Sequence, residues 1–198
     1  MGSLGSWKIK SIKEIIRIFG KKKKISATLG DIKKTKDILK KLEKFDQLNL
    51  DYIKFGLFSE TQNQIEDLMY RISERKIKTK LVPVIFADFN YTKKWIFNNL
   101  EKIRPLGFKY IILDTYSKHS GNLIELCSMN FLEKFVNKSS RFKINVGLAG
   151  KLKANHIPKL LSISPNILGF RSAACKSHNR NSSISNSKIK ELHSFLSS

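Results

Sequence analysis

The run Tyr110-Ile-Ile-Leu-Asp-Thr-Tyr-Ser-Lys118 passes from bulky apolar residues to a carboxylate at Asp114 and an amine at Lys118. An acid and an amine so placed are the residue types that proton transfer uses. Tyr110 to Leu113 is too short for a helix and ends in polar, turn-prone residues, which predicts a strand buried on both faces. Asp114 then stands at the carboxyl end of that strand, where a parallel barrel places its chemistry. Capping of the next turn by Asp114, with Lys118 on the surface, is the competing reading. A second amine, Lys54, is set into the apolar run Asp51-Tyr-Ile-Lys-Phe-Gly-Leu-Phe58. A lysine there is costly unless it faces a polar cavity or a partner. Asp31 and Asp88 also close short apolar runs and are site candidates by position, with turn capping an equal alternative.

The elements that must carry these residues follow from the spacing of apolar positions. Helical period marks Trp7–Phe19, Lys36–Phe45, Gln62–Arg75, Trp95–Ile103, Phe131–Val136 and His156–Ser162, and a last helix runs from Ile184 or Ser187 to Leu196. Between them lie strands at Ile25–Asp31, Asp51–Phe58, Leu81–Asp88, Tyr110–Asp114, Phe142–Gly150 and Ile167–Arg171. Pro83 suits the start of its strand better than a central place. Lys176–Ser183, rich in Ser and Asn, reads as loop. Alternation alone admits a doubly wound sheet. Polar residues at the strand ends (Asp31, Asp88, Asp114, Gly150 and Arg171) favour a TIM (β/α)8 barrel. With six units and a helix-first start, the barrel is incomplete and its first two strands are missing.

A chain of 198 residues holds one substantial domain, and 41% hydrophobic residues with 13 Phe supports a packed core. No apolar run approaches membrane-spanning length and the first residues have no signal-peptide profile, so no membrane partner and a cytoplasmic place are expected. Cys127 and Cys175 give neither a disulfide framework nor metal-ligand spacing, and packing is their expected role. The four histidines show no ligand spacing either, so neither a metal nor a cofactor is expected. The excess of 38 Lys+Arg over 16 Asp+Glu is spread along the chain, with no zinc-finger, RNP-like or Gly-x-x-Gly signature beside it. It fits an anionic small molecule better than a specific nucleic acid.

Specific motifs then recur in order from one end to the other. They include Gly2-Ser-Leu-Gly5 with Trp7, Ser26-Ala-Thr-Leu-Gly-Asp31, Asp51-Tyr-Ile-Lys-Phe-Gly-Leu57, Ala87-Asp88, and Leu113-Asp-Thr115 with Lys118. Further on come Gly147-Leu-Ala-Gly150, His156-Ile-Pro158, Gly169-Phe-Arg171, Ala173-Ala-Cys175 and Asn179-Arg180. Through them the chain resembles the (5-formylfuran-3-yl)methyl phosphate synthase family. The resemblance implies a TIM barrel that condenses two molecules of glyceraldehyde 3-phosphate, with loss of one phosphate and water, to a furan aldehyde precursor of methanofuran. It further implies that one lysine forms a Schiff base with the substrate carbonyl and a second, at Lys54, accepts a proton. Asp114 and Lys118 would share the pocket. Desolvation and neighbouring cations would lower the Lys54 pKa and make it a base near neutral pH. Phosphate binding is expected from the last two strand ends, with Gly147 and Gly150 on one side and Gly169, Arg171 and Ser172 on the other. Lys151 is a weaker candidate there.

One family feature has no counterpart. The Schiff-base lysine belongs to an Asp-x-Lys-x-Pro motif just ahead of the Gly-Ser-Leu-Gly segment, and here Met1 directly precedes Gly2. A misplaced start or a truncation is favoured over two separate chains that assemble, and strand edges near Ile25 and Ile167 are expected to be left open. These residues alone should then have little or no synthase activity. Another triose-phosphate aldolase or isomerase on the same scaffold, or a non-catalytic basic binding protein, are the competing functions, and homo-oligomerisation stays open.

Overall fold

A computed structural model describes residues 4–59, 61–117, 119–179 and 181–196. The chain opens on helix α1 (Ile9–Phe19), and six parallel strands then alternate with helices: β1 (Ser26–Thr28), α2 (Thr35–Asp46), β2 (Tyr52–Gly56), α3 (Gln62–Ser73), β3 (Lys80–Phe86). The second half adds α4 (Asn90–Asn98), α5 (Leu100–Ile103), β4 (Tyr110–Asp114), α6 (Leu123–Leu126), α7 (Met129–Arg141), β5 (Asn145–Leu148), α8 (Ile157–Leu161), β6 (Ile167–Leu168) and α9 (Asn186–Leu196). The strands lie side by side in chain order, β1 to β6, every neighbour parallel. β1 and β6 are the two edges, and they face each other across one cavity lined by Ser26 and Thr28 on one side and Gly169 and Arg171 on the other. The sheet is therefore curled into most of a TIM barrel and stays open between its first and last strands. Ile167 on the β6 edge is 47% exposed, as expected of an unpaired edge, whereas Ile25 is half-buried.

Side-chain alternation sorts every strand into two faces. Ile53, Phe55, Ile85, Ile111, Leu113, Val146 and Leu148 point to the helices and join the main core with α2, α3 and α7. Each helix offers the matching stripe: Ile38, Leu39, Leu42 and Phe45 of α2, or Ile65, Leu68, Met69 and Ile72 of α3, recur at helical spacing and are buried. The alternate strand residues turn to the concave face. There Val84 and Phe86 pack with Leu4 and with the rings of Phe58, Phe89 and Tyr116. Tyr116 lies 5.2–5.4 Å, centroid to centroid, from each of the three phenyl rings. Lys54 and Asp114 belong to this concave set, because they share parity with Gly56 and Ile112 on their own strands.

Local chemistry sets the element ends. Thr61 caps α3 by accepting from Gln64 N at 3.4 Å, and Ser128 caps α7 by accepting from Phe131 N at 3.2 Å. Asn122 and Glu125 form a capping box on α6, a short helix not expected from the sequence. The helix expected over Trp95–Ile103 starts earlier, at Asn90, and breaks at Asn99, whose amide donates to Trp95 O at 2.9 Å and competes with the backbone ladder. Pro83 sits inside β3, between β2 and β4, contrary to the expectation of a strand start. Val84 O accepts from Leu57 N on the β2 side, so Pro83 turns its backbone toward β4, where pairing begins only at Val84. Its missing N–H therefore costs no ladder bond.

Asp46, at the end of α2, ties that helix to the start of β3. It accepts from Lys78 N at 3.1 Å, Thr79 N at 2.8 Å and Thr79 Oγ1 at 2.7 Å. Burial pushes its pKa up, but the hydrogen bonds from Thr79 and Lys78 outweigh it and hold the carboxyl below its usual range. A depressed carboxylate stabilises the fold above its unfolded-state pKa and loses that contribution as pH falls through the folded-state value. Asp46→Asn should therefore lower stability by about 1–2 kcal/mol at neutral pH. In urea titrations the gap to the unaltered chain should close as pH falls below the usual carboxylate range, through the depressed folded-state value.

Candidate active site

The concave face opens at the carboxyl ends of the strands into a cavity of about 930 Å³. Lys54 from β2, Asp114 from β4, Gly150 after β5, and Gly169, Arg171 and Ser172 after β6 all line it. Residues up to 118 positions apart in the chain are thus collected by strand order alone, because each sits at or near a strand end of the same sheet. Lys118 lies outside the described residues. Asp31 is exposed and does not line the cavity. Asp88 does not line it either, since its carboxylate is turned to the loop after β4.

Lys54 is the electrostatic oddity of the site. Burial pushes its pKa down, and the charge of Asp114 partly offsets that. Asp114 also accepts from its neighbour's backbone, Thr115 N, at 2.7 Å, which fixes the carboxylate at the strand tip. The result is an amine that gives up its proton more readily than a surface lysine, beside a carboxylate able to orient it or pass a proton on.

The opposite wall is built for an anion. Gly150 has φ +109°, and a Cβ there would come within 2.7 Å of Thr115 Cγ2 and 2.9 Å of Thr115 N, so only glycine lets the β5 loop cross the β4 loop at this distance. Gly147 lies deeper on the concave face, where a Cβ would meet Ile112 Cγ1 at 2.9 Å. After β6, Arg171 leads into a single 3-10 turn at Ser172–Ala174. Cys175 is buried and does more than fill space: its Sγ–H donates to Arg171 O at 3.2 Å and braces that turn from beneath. Lys151, Arg171 and Lys54 outnumber the one cavity carboxylate among the described residues, Asp114, which favours an anionic occupant.

Several lining residues were not singled out for a site role from the sequence. Thr28 lies two residues along from Ser26, so strand parity could have placed both on the inner face. Tyr116 and Ser117 follow Asp114 directly. His178 and Asn179 come from the Ser- and Asn-rich stretch read as loop, which contains a 3-10 turn at Lys176–His178, and no periodicity marks them. Trp7 and Gly5 reach the cavity because Thr28 Oγ1 donates to Gly5 O at 2.9 Å and pins the first segment across the tip of β1. Among the described residues no group of three or more His, Cys, Asp or Glu is placed to hold a metal, and no helix is long and apolar enough to cross a membrane.

Comparison with known proteins places this arrangement. Residues 1–193 match the family described as 4-HFC-P synthase. The (5-formylfuran-3-yl)methyl phosphate synthase of Methanocaldococcus jannaschii is 30% identical over 96% of this chain and 85% of its own length. That of Methanobrevibacter smithii is 29% identical over 100% and 86%. Among solved structures, 3-hexulose-6-phosphate synthase superposes with a TM-score of 0.64 at 14% identity, covering 94% of this chain and 80% of that one. Phosphoribosyl anthranilate isomerase from Thermus thermophilus gives 0.60 at 13%, covering 96% and 80%. At such identities these two speak for the fold alone.

Burial of Lys54 makes a measurable claim about pH. The folded chain releases this proton at lower pH than the unfolded chain does, so across that window the unfolded state binds more protons and stability rises with pH. Lys54→Met should abolish that rise, as read from urea midpoints followed from neutral into alkaline pH. An unchanged alkaline limb would mean that Lys54 is solvated.

Proposed function

The chain belongs to the 4-HFC-P synthase family, and from that premise we propose that its cavity handles glyceraldehyde 3-phosphate on the way to (5-formylfuran-3-yl)methyl phosphate, a lyase step in methanofuran biosynthesis. The observation that carries the reading is the gathering of a half-buried lysine, a strand-tip carboxylate and a Gly/Arg/Ser wall around one cavity. Condensing two phosphorylated trioses to a furan needs carbon–carbon bond formation beside a carbonyl, then loss of one phosphate and of water. Each stage moves protons at carbon or oxygen, which calls for a base that is uncharged near neutral pH. Lys54, whose pKa burial lowers, is the amine placed for that task, and Asp114 orients it or returns the proton. The family resemblance would assign a further amine to Lys118, which lies outside the described residues.

Phosphate falls to the other wall. The Arg171 guanidinium gives planar donors that match phosphate oxygens, Ser172 adds a hydroxyl, and Gly150 and Gly169 let backbone approach the anion. The Schiff base that the family forms with its substrate carbonyl requires a lysine in an Asp-x-Lys-x-Pro motif, and these 198 residues contain none. A polypeptide of these residues alone is therefore expected to bind the triose phosphate and turn it over poorly.

Incubation of that polypeptide with glyceraldehyde 3-phosphate should give little or no furan product by mass spectrometry. Joining a strand–helix–strand segment that ends in Asp-x-Lys-x-Pro ahead of Gly2 should restore it. A normal enzymatic rate from the 198 residues alone would refute the need for that lysine. In the joined protein, Lys54→Ala should lower kcat by about 10²–10⁴-fold. The unaltered rate should climb with pH as the Lys54 ammonium loses its proton and then level off, and full turnover in the Lys54→Ala variant would remove the base from this position.

A further inference from the structure

Asp88 lies outside the cavity, yet it organises one side of it. Standing just beyond β3, its carboxylate accepts from Tyr116 N at 3.0 and 3.2 Å, from Ser117 N at 2.7 Å and from Ser120 Oγ at 3.2 Å. One side chain thus fixes three donors of the loop that follows Asp114. Ser120 is held again by its own hydroxyl, which donates to Ser117 O at 3.0 Å, and its carbonyl accepts from Lys151 Nζ. Lys151 follows Gly150 at the end of β5, takes a left-handed φ of +50°, and lines the cavity together with Tyr116 and Ser117. The contacts form a continuous path from the tip of β3, through the β4 loop, to an ammonium beyond β5.

We infer that Asp88 is a positioning residue: it holds the β4 loop so that the Ser120 carbonyl sets the Lys151 ammonium at the cavity wall, where it meets a phosphate of the substrate. The last clause rests on the proposed triose-phosphate reading, and the loop-holding part does not. An anion suits the task because successive N–H groups converge on it, and charge-assisted bonds of this kind are about twice as strong as neutral ones. An asparagine would turn an NH2 toward at least one N–H and lose that donor. The Tyr116 ring is anchored independently by Phe58, Phe86 and Phe89. Loss of the carboxylate should therefore loosen the backbone at Ser117 and Ser120 while leaving the aromatic cluster and the sheet in place.

Asp88→Asn in the 198-residue chain tests this by three readouts. Amide exchange at Tyr116 and Ser117 should quicken about tenfold or more, with β3 and β4 amides unchanged. Acetylation of Lys151 by acetic anhydride should speed up several-fold, since its ammonium is no longer fixed to the Ser120 carbonyl. The affinity for inorganic phosphate should fall about tenfold, with Arg171→Ala as the reference variant for the wall itself. Unchanged exchange and acetylation overturn the role of Asp88, and so does an acceleration spread evenly over all strands, which would mark a general loss of stability. No phosphate binding by the unaltered chain, or no effect of Arg171→Ala, overturns the phosphate clause and with it the reading of the wall, whatever the exchange data show. Should Asp88→Asn not fold, Ser120→Ala removes one donor alone. It should move exchange and acetylation in the same direction by less, and no movement overturns the proposal.

Discussion

A lysine in the middle of a strand cannot put its ammonium among the side chains that glue sheet to helix, and that prohibition organises this protein. Strand β2 offers two faces, and Ile53 and Phe55 occupy the one packed by helices. Lys54 is thereby committed to the concave face, where burial lowers its pKa and the Asp114 carboxylate is the compensating charge. The parity of one residue thus fixes which side of the sheet must hold polar space, and the curl of the sheet turns that side into a cavity.

The parallel arrangement supplies the rest of the constraint. With every strand running the same way, all six carboxyl ends emerge on one rim, and loops of very different sequence are brought into contact there. The crossing of Gly150 over Thr115 shows how close those loops come, as does the reach of Asp88 to the loop after β4 and of Lys151 to Ser120. The rim behaves as a network in which residues beside the cavity are held by residues behind it. Cys175 under Arg171 is a second instance of the same relation.

The openness between β1 and β6 has a visible counterpart in exposed apolar side chains. Trp7, just ahead of α1, lines the cavity and is exposed, and Ile167 is exposed on the β6 edge. This chain spans 80% of each of the two solved structures compared with it. The cavity is walled by what is present, with Thr28 and Gly5 on one flank and Arg171 on the other.

Much of this was legible in the chain itself. Apolar period fixed the type and order of all six strands and most helices, and an acid at the end of an apolar run marked Asp114 as a strand tip, because these signals are local and repeat. The lysine inside the Asp51–Phe58 run announced a polar cavity through its desolvation cost. Only the tertiary structure separated Asp88 and Asp31 from Asp114, since all three close similar runs and differ only in what lies across from them. It alone gave Pro83 a central strand, by showing which neighbour its missing N–H faces. It also brought His178 and Asn179 to the cavity, for a loop's sequence carries no period from which its direction can be read. Sequence determines which residues must avoid the core, while the folded chain decides which of them meet, because meeting depends on strand order and loop crossing over distances that no local pattern encodes.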